Sequence, residues 1–186
     1  IEETEKAFEL MKQANNLGSI MKFDISPETR TAIERSTSEW EKHEFVNPDI
    51  EAAIPSMKII LALTDKYTVA AMNPPYMVSG RFSAELEKYI ESFYEEGKAD
   101  LFAVFMLVGM NLLAEKGKMG MINMQSWMFL GSFENLRHEI LKHYCIESLL
   151  HLGPRTFDEL SGEVVQNSAF CIQKLLSKRA GTYYRL

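Results

Sequence analysis

The sequence predicts an α/β domain with a mostly parallel sheet and helices on both faces, preceded by an N-terminal helical segment. Three observations carry that reading. From residue 66 onward, short apolar runs alternate with stretches of helical periodicity. Several of those runs are continuously apolar, the pattern of strands covered on both faces. Residues 1–65 contain only helical spacing and helix-start signals. With 46% hydrophobic and 25% charged residues among 186, the chain can bury a core, which excludes a disordered or collagenous protein.

The elements follow in order. Residues 1–17 set Ala7, Phe8, Met11, Ala14 and Leu17 at three-to-four spacing, predicting one amphipathic helix stopped by Gly18. Ser26-Pro27 reads as an N-cap with proline in the first turn, opening an exposed helix to about residue 42. Asn47-Pro48 repeats the signal for a helix to about residue 63, with Pro55 a candidate kink. The run Y-T-V-A-A-M over 67–72 is short, β-branched and apolar, and predicts a buried strand. Leu86, Tyr89, Ile90 and Phe93 mark the inner face of a helix closed by Gly97.

Asp100 can cap the next, nearly all-apolar helix, expected to reach about Glu115 before Gly117. A covered strand over 118–124 follows, and Gln125-Ser126 comes directly after it. Ser132 is a candidate cap for a helix facing inward through Leu136, Ile140 and Leu141. Strands are expected over 146–150 and 164–175, separated by a loop after Gly153-Pro154. Residues 177–186 are a tail or linker with no assigned element.

Charge and composition narrow the function. The net charge is −6, with 11 basic and 19 acidic side chains in residues 1–100, against 9 and 7 in 101–186. A free-standing binder working by phosphate neutralisation needs a basic patch, so any nucleic-acid surface belongs to the second half. Cys145 and Cys171 form no C-x-x-C pair, so neither a disulfide framework nor a cysteine zinc site is indicated. The four histidines lack metal-ligand spacing, and no metal is expected. No apolar stretch approaches the about 20 residues a membrane span needs. The first residues, I-E-E-T-E, show no signal peptide and read as a cut inside a longer cytoplasmic protein.

The chemistry concentrates at Asn73-Pro74-Pro75-Tyr76, directly after the first predicted strand. In open α/β sheets ligands bind beyond the carboxyl ends of strands. Each proline fixes φ and lacks an N–H, and the residue before a proline is held extended. The segment is therefore a stiff acceptor pair, the side-chain oxygen of Asn73 and the main-chain oxygen of Pro74. A planar NH2 group is a poor nucleophile because its lone pair is delocalised. Two fixed acceptors on its two hydrogens favour the tetrahedral nitrogen that forms during attack, so no general base is required. Tyr76 offers a flat face for a planar substrate. A Pro-Pro pair after a strand is also compatible with a plain loop.

Asn-Pro-Pro-Tyr after a hydrophobic strand resembles the catalytic motif of amino-methyltransferases that use S-adenosylmethionine. The runs K-A-D-L-F-A-V-F (98–105), G-M-I-N-M-Q-S-W-M-F-L (120–130) and H-L-G-P-R-T-F-D-E-L-S-G-E-V-V-Q-N-S-A-F (151–170) extend the likeness. Together they resemble the adenine-specific DNA methyltransferases of BREX phage-defence systems, the PglX family, and more loosely methyltransferases fused to restriction enzymes. The resemblance implies part of a Rossmann-like methyltransferase fold, the carboxyl-terminal half of its sheet. It further implies S-adenosylmethionine as cofactor and double-stranded DNA with a flipped adenine as substrate. Other defence-system or restriction subunits are implied partners, in a prokaryotic cytoplasm.

Carried over by position, Asn73, Pro74, Pro75 and Tyr76 are the catalytic residues. Asn73, Ala99, Asp100 and Leu101 border the cofactor, although Asp100 also fits a plain helix cap. Tyr76, Ser126, Trp127, Arg155 and Phe157 are candidates for the DNA or flipped base, with Trp127 equally suited to the core. The ten glycines include no G-x-G turn, so the cofactor loop is expected before Ile1 and a target-recognition domain after Leu186. On this reading 1–65 leads into the domain and 66–176 is its catalytic half. A protein-glutamine methyltransferase, which shares the motif, and a non-catalytic DNA- or partner-binding module remain alternatives.

Overall fold

A computed structural model describes residues 2–42, 47–153, 166–175 and 180–186, and the chain divides into two compact units at Asp65/Lys66. The first unit is helical. It comprises α1 (Glu2–Met11), α2 (Ala14–Leu17), a 3-10 turn (Gly18–Ile20), α3 (Pro27–Trp40) and α4 (Pro48–Thr64). The single helix expected over 1–17 is broken at Lys12-Gln13, whose amides bond three residues back to Glu9 and Leu10. Asn15 and Asn16, in the short α2 that follows, are poor helix formers and weaken the case for one continuous helix.

Both proline-marked caps form. Ser26 Oγ accepts from Thr29 N at 3.2 Å and Asn47 Oδ1 from Asp49 N at 2.9 Å, and α4 continues through Pro55. Ala7, Ile33, Met57 and Ile60 make the buried cluster of this unit. Glu3 joins α1 to the start of α3: its Oε2 accepts from Ser26 N at 3.0 Å and Ser26 Oγ at 2.7 Å. Hydrogen bonds from the Thr29 side chain and from Ser26 hold its carboxyl down to about 2 from an ordinary 4.5. A depressed carboxyl contributes stability that is present above 4.5 and lost as pH falls towards 2. An NMR titration should therefore show Glu3 ionised at pH 3.5, and Ser26→Ala should raise its midpoint.

The second unit holds a five-stranded sheet in the order β1-β2-β4-β3-β5. Its strands are β1 (Tyr67–Met72), β2 (Leu113–Met124), β3 (Cys145–Gly153), β4 (Asn167–Gln173) and β5 (Thr182–Arg185). The β1/β2 and β3/β5 pairs are parallel, whereas β4 runs antiparallel to both β2 and β3. The expected mostly parallel sheet is thus evenly mixed. β4 lies between β2 and β3 and pairs antiparallel with each, so both of its neighbours set its direction against theirs. β1 was expected to be buried but is an edge strand, with Val69 68% exposed.

Among the described residues the unit has three α-helices: α5 (Ala84–Phe93), α6 (Leu101–Leu112) and α7 (Glu134–His143). α6 ends three residues short of the expected Glu115, because β2 begins at Leu113. No side chain caps α7; Phe133, not Ser132, occupies the cap position, and Leu141 faces solvent at 68% exposure. The residues left as a tail contain β5, whose backbone pairs with β3 although every side chain is exposed. The core is made by Phe102 and Met106 of α6, Leu136 and Ile140 of α7, and Met119 and Ile172 of the sheet. α6 and α7 therefore cover the same face. The other face presents Ala71, Gly120, Cys171 and Ser148 in one register row, lining an open depression of about 570 Å³. Helices on both faces were expected; α6 and α7 share one.

Gly97 lets α6 approach the turn before it. A Cβ there would lie 2.8 Å from the backbone carbon of Ala103 and the nitrogen of Val104. Backbone cannot swing aside as a side-chain tip can, so Gly97→Ala should cost about 1–3 kcal/mol. Faster amide exchange in residues 98–106 would report it. No helix among the described residues is long and apolar enough to cross a membrane.

Candidate active site

The parallel β1/β2 pair stops at Met72 and Met121, and the chain leaves the carboxyl end of β1 through Asn73. Pro74 is buried, whereas Asn73, Pro75 and Tyr76 are exposed, so the acceptor segment stands at the surface on one inward anchor. The next residues are pinned to the start of α6. Met77 N donates to Asp100 Oδ1 at 3.1 Å, Leu101 N to the Met77 carbonyl at 2.9 Å, and Ser79 N to the Ala99 carbonyl at 3.1 Å. These bonds make Val78 and Asp100 an antiparallel bridge. The stiffness supplied by two prolines is thus continued by a short ladder.

Asp100 is the centre of that ladder. Its Oδ1 also accepts from Phe102 N at 3.2 Å, which caps α6, and the residue is only 4% exposed. Burial raises its carboxyl above the ordinary range, opposed by hydrogen bonds from the Phe102, Met77 and Leu101 amides. Its carboxylate is engaged by backbone: it caps α6 and also holds the segment after Tyr76. Leu101 is buried beside it and Ala99 half-buried.

Tyr76 is held at two points. Its ring meets Phe102 edge-on, with centroids 6.2 Å apart at 87°, and its hydroxyl donates to Asn167 Oδ1 at 3.3 Å. It nonetheless keeps 41% of its surface in solvent. Burial, then the Asp100 charge, raise its hydroxyl above the ordinary value, so it is a neutral donor at physiological pH.

The other predicted contacts divide. Trp127 is buried, packing on Phe170 at 5.1 Å, and its indole N–H donates to Ser168 Oγ at 3.0 Å. Ser168 Oγ in turn donates to Asn123 Oδ1 at 3.1 Å. Trp127 is therefore a core residue and not a wall of a DNA cleft. Ser126 is half-buried, and its carbonyl accepts from Phe129 N and Leu130 N. Arg137 donates to the Trp127 carbonyl at 2.9 Å and the Leu130 carbonyl at 2.7 Å. The loop so fixed presents Phe129 and Leu130 to solvent, a surface that sequence reading missed. The only available signal was four large apolar residues in a row, W-M-F-L, more than one turn can bury. Arg155 and Phe157 lie outside the described residues.

This sheet, with its exposed acceptor loop beyond β1, has the fold of class I S-adenosylmethionine-dependent methyltransferases. A Listeria monocytogenes crystal structure assigned to that class matches with a TM-score of 0.52 at 16% identity, over 76% of this chain and 47% of that one. The model of the Eco57I restriction-modification methylase family matches residues 2–157, and the chain belongs to that family. It is 39% identical over 178 residues to the adenine-specific methyltransferase PglX of Lacticaseibacillus casei (strain Zhang). It is 36% identical over 170 residues to the adenine-specific methyltransferase BrxX of Escherichia coli O9:H4 (strain HS). These matches cover 91% and 88% of this chain but 15% and 14% of the relatives' own lengths. The likeness to BREX methyltransferases read from the sequence is therefore found.

Proposed function

We propose that the protein carrying this chain methylates the exocyclic N6 amine of adenine in duplex DNA, with S-adenosylmethionine as donor. The exposed, clamped Asn73 to Tyr76 segment at the carboxyl end of β1 is the observation that carries this reading. The residues suit both groups. Acceptors with no neighbouring N–H match an NH2 group, which offers two hydrogens and no basic lone pair. Bound S-adenosylmethionine supplies the electrophilic methyl group, and Asn73, Ala99 and Leu101 would border it, with Asp100 supporting them.

In the reaction, Asn73 Oδ1 and the Pro74 carbonyl each hold one amine hydrogen and orient the nitrogen lone pair out of the ring plane. Tyr76 stacks on the adenine, which must leave the duplex to reach this loop. Ser126 and the Phe129-Leu130 loop lie on the same carboxyl side of the sheet and would flank the DNA. Arg155 and Phe157 are proposed phosphate and base contacts, respectively. The setting is a prokaryotic phage-defence or restriction-modification system, with partner subunits of that system.

Incubation of the full-length protein with methyl-labelled S-adenosylmethionine and unmethylated duplex DNA, followed by digestion to nucleosides, tests the reading. Label in N6-methyladenine is the expected result. Label confined to protein, or none on DNA while cofactor is bound, would overturn it.

A further inference from the structure

The Tyr76 ring is half in solvent, and a tyrosine in that position ordinarily samples several χ1 rotamers. Here its hydroxyl reaches a carboxamide 91 residues away in sequence. Asn167 is the first residue of β4 and only 1% exposed. The strands hold it on both sides, since it pairs with Met124 of β2 and with Gly153 of β3. Gly153 takes φ +70°, a conformation that favours glycine and lets the strand end opposite Asn167. The neighbouring Ser168 is fixed in the Trp127 to Asn123 chain of hydrogen bonds, so the backbone that aims Asn167 is itself immobilised. A rigid, buried acceptor thus meets a half-exposed donor at the loop that carries the chemistry.

We infer that Asn167 is a positioning residue, which sets the plane of the Tyr76 ring through its hydroxyl so that a planar base can stack there. The inference rests on the adenine-methyltransferase reading. Asn167 touches neither substrate nor cofactor in this account; it acts only through Tyr76. Together with the edge contact to Phe102, it leaves the ring one orientation, so the cost of ordering the ring is met before the base arrives. The Phe102 contact holds the ring, and Asn167 holds its hydroxyl end.

A double-mutant cycle tests this in the full-length protein, because two groups acting through one bond are not additive. Tyr76→Phe removes the donor and Asn167→Ser shortens the acceptor out of reach. Each should lower kcat/KM for DNA roughly fivefold, the size of one neutral hydrogen bond, while the Kd for S-adenosylmethionine stays unchanged. The double variant should be no worse than either single one. Multiplying effects, or a Tyr76→Phe protein as active as the wild type, would overturn the inference.

A second measurement does not depend on turnover. With 3-fluorotyrosine at position 76, Asn167→Ser should shift the ¹⁹F resonance, whereas an unmoved resonance would show that the two groups do not meet. A wild type that places no methyl on adenine would instead overturn the reading beneath, whatever the fluorine spectrum shows.

Discussion

On the proposed function, Asn73→Ala in the full-length protein is expected to lower kcat for methyl transfer to DNA at least about 100-fold, the scale seen when one preorganised hydrogen-bonding group at a reacting centre is lost. Binding of S-adenosylmethionine to the same variant, followed by calorimetry, changes little. The asymmetry follows from where Asn73 stands. It is exposed beyond the end of β1, so trimming its side chain leaves no buried group without a partner. The amine's hydrogen loses its acceptor, a loss felt as the nitrogen becomes tetrahedral and not in the resting complex, while Ala99 and Leu101 would still border the cofactor. The Pro74 carbonyl remains, held by a buried ring, but one acceptor cannot orient both hydrogens. Unchanged turnover in Asn73→Ala would remove the acceptor role from this residue.

What the sequence made legible here were local events with their own chemistry. Ser26-Pro27, Asn47-Pro48 and Asp100 each bring a side-chain oxygen to free amides at a helix start, a contact contained within four residues. The end of β1 before Asn73-Pro74-Pro75 was legible for the same reason, since two prolines act on their immediate neighbours. Contacts between distant strands left no such mark. β5 exposes all four side chains, so no burial pattern betrays its backbone pairing with β3. The antiparallel course of β4 reads the same as a parallel one, because an apolar run does not encode direction. Trp127 and Asn167 are tied to Ser168 and Tyr76 by side-chain hydrogen bonds that span 41 and 91 residues.

Asp100 joins the local and the distant, and its substitutions should separate two roles. Asp100→Ala loses the α6 cap and leaves the half-buried Met77 amide without its acceptor, together costing about 2–4 kcal/mol. The loop then loosens at the residue after Tyr76. Amide exchange should rise in residues 76–82, and kcat should fall even where cofactor still binds. Asp100→Asn is predicted to behave differently. A carboxamide oxygen can still accept from Met77 N and Phe102 N, so the loop stays in place.

The sign of its pH dependence follows from burial, which raises the Asp100 carboxyl above its ordinary value of 3.8. A raised carboxyl favours folding most below that ordinary value, and this contribution is lost as pH climbs through the raised one. The neutral amide abolishes that loss, so at pH 7 Asp100→Asn should match or exceed the wild type in stability. Its Tyr76 hydroxyl should also titrate lower, because the second cause of its upward shift, the Asp100 charge, is gone. An Asp100→Asn protein as loose in residues 76–82 as the alanine variant would mean that charge, and not the accepting oxygen, holds the loop.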